Sequence, residues 1–169
     1  GVAAESIKFG TCSLQSDKYI CVCQGGELVI VDMTAGNAVK RWPISAEAAI
    51  MNPNQKIVAL RAQGQLQIFN LEAKSRLKSH TISEPIVFWK WFDATTIALV
   101  TASAVFHWSM GGDSGPQKIF NRDAKLEGCQ VIGYNVSADG KWCLAVGIYQ
   151  ASPGVIAGTM QLYRYVDRK

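Results

Sequence analysis

The sequence predicts an all-β chain built from β-propeller blades. Three observations predict this. Short runs of β-branched and aromatic residues recur as pairs between turn signals, the pairs repeat about every forty residues, and helical periodicity is nearly absent.

The first unit pairs DKYICV at Asp17–Val22 with LVIVDM at Leu28–Met33, and the polar run AVKRWPI follows. The second pairs QKIVAL at Gln55–Leu60 with LQIFNL at Leu66–Leu71, followed by KSRLKSHTI. The third pairs TTIALV at Thr95–Val100 with VFHWSM at Val105–Met110, followed by QKIFNR. The fourth pairs GKWCLAV at Gly140–Val146 with MQLYRY at Met160–Tyr165, and Tyr149–Thr159 reads as an inserted loop. In each unit the first run is nearly all apolar, as a strand buried on both faces requires. The second alternates, as a half-exposed strand does. The third carries charge, which suits an outer edge because charge discourages pairing with another chain.

These units give blade repeats near 7–44, 45–82, 83–122 and 123–169. A propeller must close its ring or leave broad apolar blade faces in water. The last run ends at YRYVDRK with no closing strand. The chain therefore reads as one partial propeller domain over 1–169, about three to four blades and the N-terminal piece of a larger ring. Exposed strand edges and faces predict poor solubility for such a piece alone.

Composition narrows the function. A net charge of +4 without a dense basic run gives no footprint for nucleic acid. No apolar stretch reaches the roughly 18 residues of a membrane span. GVAAESIKFG lacks the basic-then-apolar order of a secretory signal, so a cytosolic setting is expected. The five cysteines, Cys12, Cys21, Cys23, Cys129 and Cys143, show no CxxC spacing, and His80 and His107 are distant in sequence. They read as reduced core thiols, and neither metal nor cofactor is expected.

Catalytic motifs are weak. Gly112-Asp113-Ser114-Gly115-Pro116 resembles the nucleophile loop of chymotrypsin-like proteases, but one glycine rather than two follows the serine. A triad also needs a histidine oriented by an aspartate, and His107 lies within a strand run. A tight turn accounts for this segment, and no enzyme activity is expected. Asn135-Val136-Ser137 fits a glycosylation acceptor, which matters only in a secreted chain. No Walker loop, GxGxxG or HExxH is present.

Lys74, Arg76 and Lys78 alternate, which on a regular strand places them on one face. Gln67 and Phe69 alternate on the preceding strand. A hairpin would join these rows into a groove with an apolar floor, an amide for main-chain bonding and a cationic rim. Such a groove suits an extended peptide with alternating apolar residues and acids.

Longer strings resemble one family. PISAEAAIMNPNQKIVAL at Pro43–Leu60, LQIFNLEAKSRLKSHT at Leu66–Thr81, FWKW at Phe88–Trp91 and HWSM at His107–Met110 are similar to the N-terminal domain of clathrin heavy chains. So are SDKYICV, GCQVI at Gly128–Ile132, MQLY and VDRK, so the resemblance covers nearly the whole chain in order. It implies a seven-bladed propeller at the tip of the clathrin leg, of which this chain is the first half. It implies a coat component in endocytosis and vesicle transport, on the cytosolic face of coated pits and vesicles. The implied partners are adaptor proteins with short linear motifs, the rest of the heavy chain and the light chain. Membrane association would be indirect, through adaptors.

In that family the groove between the first two blades binds adaptor peptides of the form Leu, apolar, any, apolar, acid. The matching positions are Val58, Gln65, Gln67, Phe69, Lys74 and Arg76, and Arg41 is matched to the basic residue at the blade edge. Trp42 makes KRWPI one residue longer than the usual segment. A second site for Trp-containing motifs, on the top face, matches Phe9, Gln130, Ile132 and Ile148. Two or three aliphatic anchors gain about 1.5–3 kcal/mol each, and ordering a peptide costs about 2–5 kcal/mol. Micromolar or weaker binding follows, made useful by many copies. The alternatives are a purely structural propeller and a hydrolase using Ser114.

Overall fold

A computed structural model describes residues 2–8, 10–14, 17–81 and 83–165. Every regular element among them is a strand, apart from single 3-10 turns at Ala4–Ser6, Met33–Ala35 and Ala124–Leu126. The strands form four antiparallel meanders, each a propeller blade. The fold is a partial β-propeller. The chain divides into two compact units, one of residues 1–83, 93–95 and 110–113 and the other of 84–92, 96–109 and 114–169.

The first unit holds two sheets. One orders β1 (Cys12–Ser13), β2 (Tyr19–Gln24), β3 (Glu27–Asp32) and β4 (Ala38–Trp42). The other orders β5 (Ala48–Met51), β6 (Ile57–Ala62), β7 (Gln65–Asn70) and β8 (Ser75–Thr81). Cys21, Cys23, Leu28 and Ile30 of the first sheet pack with Ala49, Met51, Val58, Leu60 and Leu71 of the second in one cluster. Trp42 and Phe69 close over its border. Alternation explains the membership: Leu28 and Ile30 share a face of β3, and Val58 and Leu60 share a face of β6. Asn52 is fully buried yet satisfied, donating to the Ala94 carbonyl at 2.8 Å and accepting from the amides of Asn54 and Gln55 at 2.9 and 3.1 Å.

The second unit also holds two sheets. One orders β9 (Ile86–Trp91), β10 (Thr96–Thr101), β11 (Ala104–Ser109) and β12 (Gln117–Asn121), and the other β13 (Gln130–Val136), β14 (Trp142–Ser152) and β15 (Val155–Arg164). Ala98, Val100, Val105 and Phe120 pack with Leu126, Val131, Tyr134, Cys143 and Ala145.

Three readings from sequence change. Each four-stranded sheet begins with a strand that the paired runs did not reveal, β1, β5 and β9, and β13 begins the fourth sheet. Tyr149–Thr159 is no loop: β14 and β15 continue through it, from Tyr149 opposite Ala157 to Ser152 opposite Val155. Its residues are mostly exposed on both faces, so no burial pattern marks it. Finally, β14 is not buried on both faces. Cys143, Ala145 and Gly147 are buried, and Leu144, Val146 and Ile148 are only half-buried.

Candidate groove between the first two sheets

The pairing register of the first unit decides what the groove contains. Gln65, Gln67 and Phe69 share one face of β7, and directly opposite them on β6 stand Ala62, Leu60 and Val58. Leu60 and Val58 belong to the core cluster, so this face is the one turned to the first sheet. Val58 is fully buried and supports the floor from beneath, whereas Gln67 and Phe69 are half-buried and Gln65 is exposed. Gln67 Nε2 donates to Gln65 Oε1 at 3.4 Å, a long bond between two amides that an incoming main chain can replace.

The basic row predicted on β8 does not form. Leu77 bulges out of the β7–β8 ladder, so Phe69 faces Arg76 while Ile68 faces Lys78. Arg76 therefore borders the floor beside Phe69. Lys78 stands on the opposite face of the sheet, its Nζ 3.5 Å from the Gly111 carbonyl. Lys74 precedes β8, in a turn with φ of 52°. The turn is fixed by Asn70, whose side-chain oxygen accepts from the amides of Glu72 and Ala73 at 2.9 and 3.0 Å.

Arg41 is placed away from the groove. On β4, Trp42 pairs with Leu28 and Lys40 with Ile30, both cluster residues, whereas Arg41 pairs with Val29 on the other face. There it forms an ion pair with Glu27 at 2.9 Å. Strand alternation is the reason: once Trp42 turns its ring to the cluster, its neighbour must turn away. Lys40 and Trp42 thus line the first sheet's bank, and reasoning from sequence missed both. The signal was present in the spacing, because a strand that buries Trp42 shows Lys40 on the same face.

At one end of the groove the second sheet carries an ion pair. Lys56 pairs with Glu72 at 3.0 Å, and this carboxylate raises the Lys56 ammonium above its usual range, with Tyr19 and Asp32 of the first sheet adding to it. Asp32, at the end of β3, is thus within electrostatic reach of Lys56. Asp32 is itself held below the usual carboxylate range, first by the Thr34 hydroxyl, which donates to it at 2.6 Å.

The second unit holds a filled counterpart. Gln161 and Tyr163 occupy in MQLYRY the places of Gln67 and Phe69 in LQIFNL. Gln161 Nε2 donates to the Asn121 carbonyl at 2.9 Å and its Oε1 accepts from the Asp123 amide at 2.8 Å. Tyr163 stacks on Phe120 with ring centroids 4.6 Å apart and planes at 19°. Here the chain leaving β12 lies across the β15 glutamine as an extended ligand would.

At the second set of sequence candidates, Gln130 pairs with Ile148, and Ile132 stands in the adjoining bulge, 47% exposed. Phe9 lies outside the described residues. Ser114 and His107 line one cleft of about 300 Å³ with Phe92, Gln117 and Tyr165. His107 Nε2 is 2.7 Å from the Tyr134 hydroxyl, and the lining of this cleft includes no carboxylate to orient an imidazole. Among the described residues no His, Cys, Asp and Glu group is arranged to hold a metal, and no helix is long and apolar enough to cross a membrane.

Comparison with known proteins adds the following. Residues 43–72 match the clathrin propeller repeat family. The chain is 51% identical over 173 aligned residues to the clathrin heavy chain of Drosophila melanogaster and 50% identical to clathrin heavy chain 2 of Homo sapiens. Each alignment covers 100% of this chain and 10% of the relative. In Schizosaccharomyces pombe a probable clathrin heavy chain is 40% identical over 96% of this chain. The chain thus spans about a tenth of the length of the curated relatives it matches. Among solved structures, the Cps50 (Swd1) β-propeller domain of Myceliophteria thermophila superposes with a TM-score of 0.57 at 10% identity, covering 82% of this chain and 48% of that one. A chain of the mitotic checkpoint complex superposes with a TM-score of 0.61 at 11% identity, covering 92% and 54%. At these identities the likeness concerns fold.

Proposed function

The chain belongs to the clathrin heavy chain family, and from that premise we propose that it is a non-enzymatic clathrin-coat module that binds short adaptor peptides in the groove between its first two sheets. The observation that carries this reading is the grouping of Gln67, Phe69 and Arg76 on one accessible face at the border of a shared apolar cluster. Phe69 and the cluster edge offer apolar anchors with about 25 cal/mol of gain per Å² covered. Arg76 attracts a carboxylate at the rim. Gln67 can engage a peptide main chain through both amide atoms. Gln161 engages residues 121 and 123 of this chain in that manner.

Such binding is weak per site and gains strength when many copies are assembled on a coat. The partners are adaptor proteins with acidic Leu-containing motifs, together with the rest of the clathrin assembly. The setting is the cytosolic face of coated pits and vesicles, with membranes reached through adaptors. The second candidate surface, around Gln130, Ile132 and Ile148, would take Trp-containing motifs.

The test is fluorescence anisotropy with a labelled acidic Leu-containing peptide, comparing the unmodified protein with a Gln67→Ala, Phe69→Ala double variant shown to be folded by circular dichroism. Loss of binding in the variant is expected. Equal binding by both moves the site elsewhere, and no binding by either favours a structural propeller without a peptide role.

A further inference from the structure

The first sheet's bank of the groove has its own charge, and it comes from a residue that nothing in the sequence motif singles out. On β4, alternation aims Lys40 and Trp42 at the face that carries Leu28 and Ile30. These two leave β4 on the same side as the cluster that Phe69 closes. The filled counterpart in the second unit shows how such a bank meets its partner. Phe120 pairs with Val105 on β11, as Trp42 pairs with Leu28 on β3, and Phe120 stacks on Tyr163 of β15. By that relation Trp42 stands across from Phe69.

Lys40 is two residues from Trp42, on the side toward Ala38, which pairs with Asp32. That is the end where Lys56, paired with Glu72, is within electrostatic reach of Asp32 and Tyr19. Arg76 is next to Ser75, which pairs with Asn70 at the same end of the second sheet. Lys40 and Arg76 are both exposed. One cation thus stands on each bank of the groove, at one and the same end.

We propose that Lys40 is a specificity-determining residue of this groove, and that the groove selects peptides in which two consecutive acidic residues follow the apolar anchors. The reason is the geometry of an extended chain. Successive side chains point to opposite sides, so two neighbouring carboxylates part, one toward β8 and Arg76 and the other toward β4 and Lys40. A single acid engages one bank only. An acid placed before the anchors lies at the other end, beside Gln65 and Gln67, and meets neither cation. Arg41, held by Glu27 on the far face, takes no part.

This proposal rests on the groove being the peptide site, and the experiment separates the two. Anisotropy is measured on the intact protein with three labelled peptides that share two leucines two positions apart. One carries a single Asp after the second Leu, one carries Asp-Glu there, and one carries the single Asp with a Glu before the first Leu. The Asp-Glu peptide should bind about two- to fivefold more tightly than the single-acid peptide, the gain of one exposed charge pair. The third peptide should bind like the single-acid one. Lys40→Gln should erase the gain, so that the Asp-Glu peptide binds no more tightly than the single-acid peptide does to the same variant, and Arg41→Gln should keep the gain. If all three peptides bind and Gln67→Ala, Phe69→Ala abolishes binding, but Lys40→Gln keeps the gain, the Lys40 assignment is overturned and the groove stands. If Arg41→Gln erases the gain instead, the assignment is likewise overturned. If no peptide binds, or the double variant binds all three unchanged, the groove and the Lys40 assignment fall together.

Discussion

Phe69 and Arg76 stand directly opposite each other because Leu77 is displaced from the β7–β8 ladder. Without that bulge the strictly alternating Lys74, Arg76 and Lys78 would form one row. With it, the cations separate: Lys74 sits in the turn, Arg76 beside the aromatic floor and Lys78 behind the sheet.

Charge reversal should report this separation. Arg76→Glu is expected to weaken an acidic Leu-containing peptide by about threefold to tenfold, since an attraction of up to about 1 kcal/mol becomes a repulsion. Lys78→Glu should change affinity by less than about twofold. Titrations at two salt concentrations check the electrostatic origin, because the difference between Arg76→Glu and the unmodified protein should shrink at high salt. Equal losses for both variants would restore the single basic row.

Asn52 should be the costliest polar residue to replace in the first unit. Its side chain makes three hydrogen bonds from a fully buried position. Asn52→Leu leaves two amides and one carbonyl without that partner and should cost about 2–4 kcal/mol. Urea denaturation measures it. A loss below about 1 kcal/mol would mean that solvent or a local shift replaces these bonds.

Gly147 is required by space, not by backbone conformation. A Cβ there would meet the Cys129 Cβ at 2.9 Å and the Leu126 Cδ2 at 3.0 Å. Gly147→Ala should therefore destabilise by about 1–3 kcal/mol. Adding Cys129→Gly removes the nearer clash, so the double variant should lose less than the two single losses added together. Additive losses in a double-mutant cycle would show that the two positions do not touch.

The cysteines should behave as core residues. Burial pushes the Cys23 thiol up to about 11, with Cys12 adding to the effect, and burial also raises Cys21 and Cys143. A thiol is reactive as its thiolate, so at pH 8 only about a thousandth of Cys23 is available. A chromogenic disulfide reagent at that pH should label Cys21, Cys23 and Cys143 slowly in the folded protein and promptly in urea. Prompt labelling of Cys23 without denaturant would contradict the packing of β2 against the second sheet.

Much of the fold was legible in the sequence because blade strands carry their burial in their pattern. Runs such as QKIVAL and TTIALV become β6 and β10 since strands buried on both faces must be apolar throughout. The first strands of the sheets were harder to see. β1 has two residues, and β13 alternates weakly around a bulge. The extended part of β14 and β15 carried no burial signal because hydrogen bonds, which any sequence can make, hold it together.

For the groove, the sequence alone determined which residue types are present: an amide and an aromatic two apart on one strand, and a cluster of cations just after. It could not determine which cations face the groove. That depends on one residue of register, since a single displaced residue sends every later side chain to the other face. Leu77 makes that shift on β8 and brings Arg76 to the floor. Trp42, drawn to the apolar cluster, makes the choice on β4 and brings Lys40 with it while turning Arg41 to Glu27. Burial of one large side chain outweighs the placement of an exposed charge, so tertiary packing decided the charge pattern of the groove.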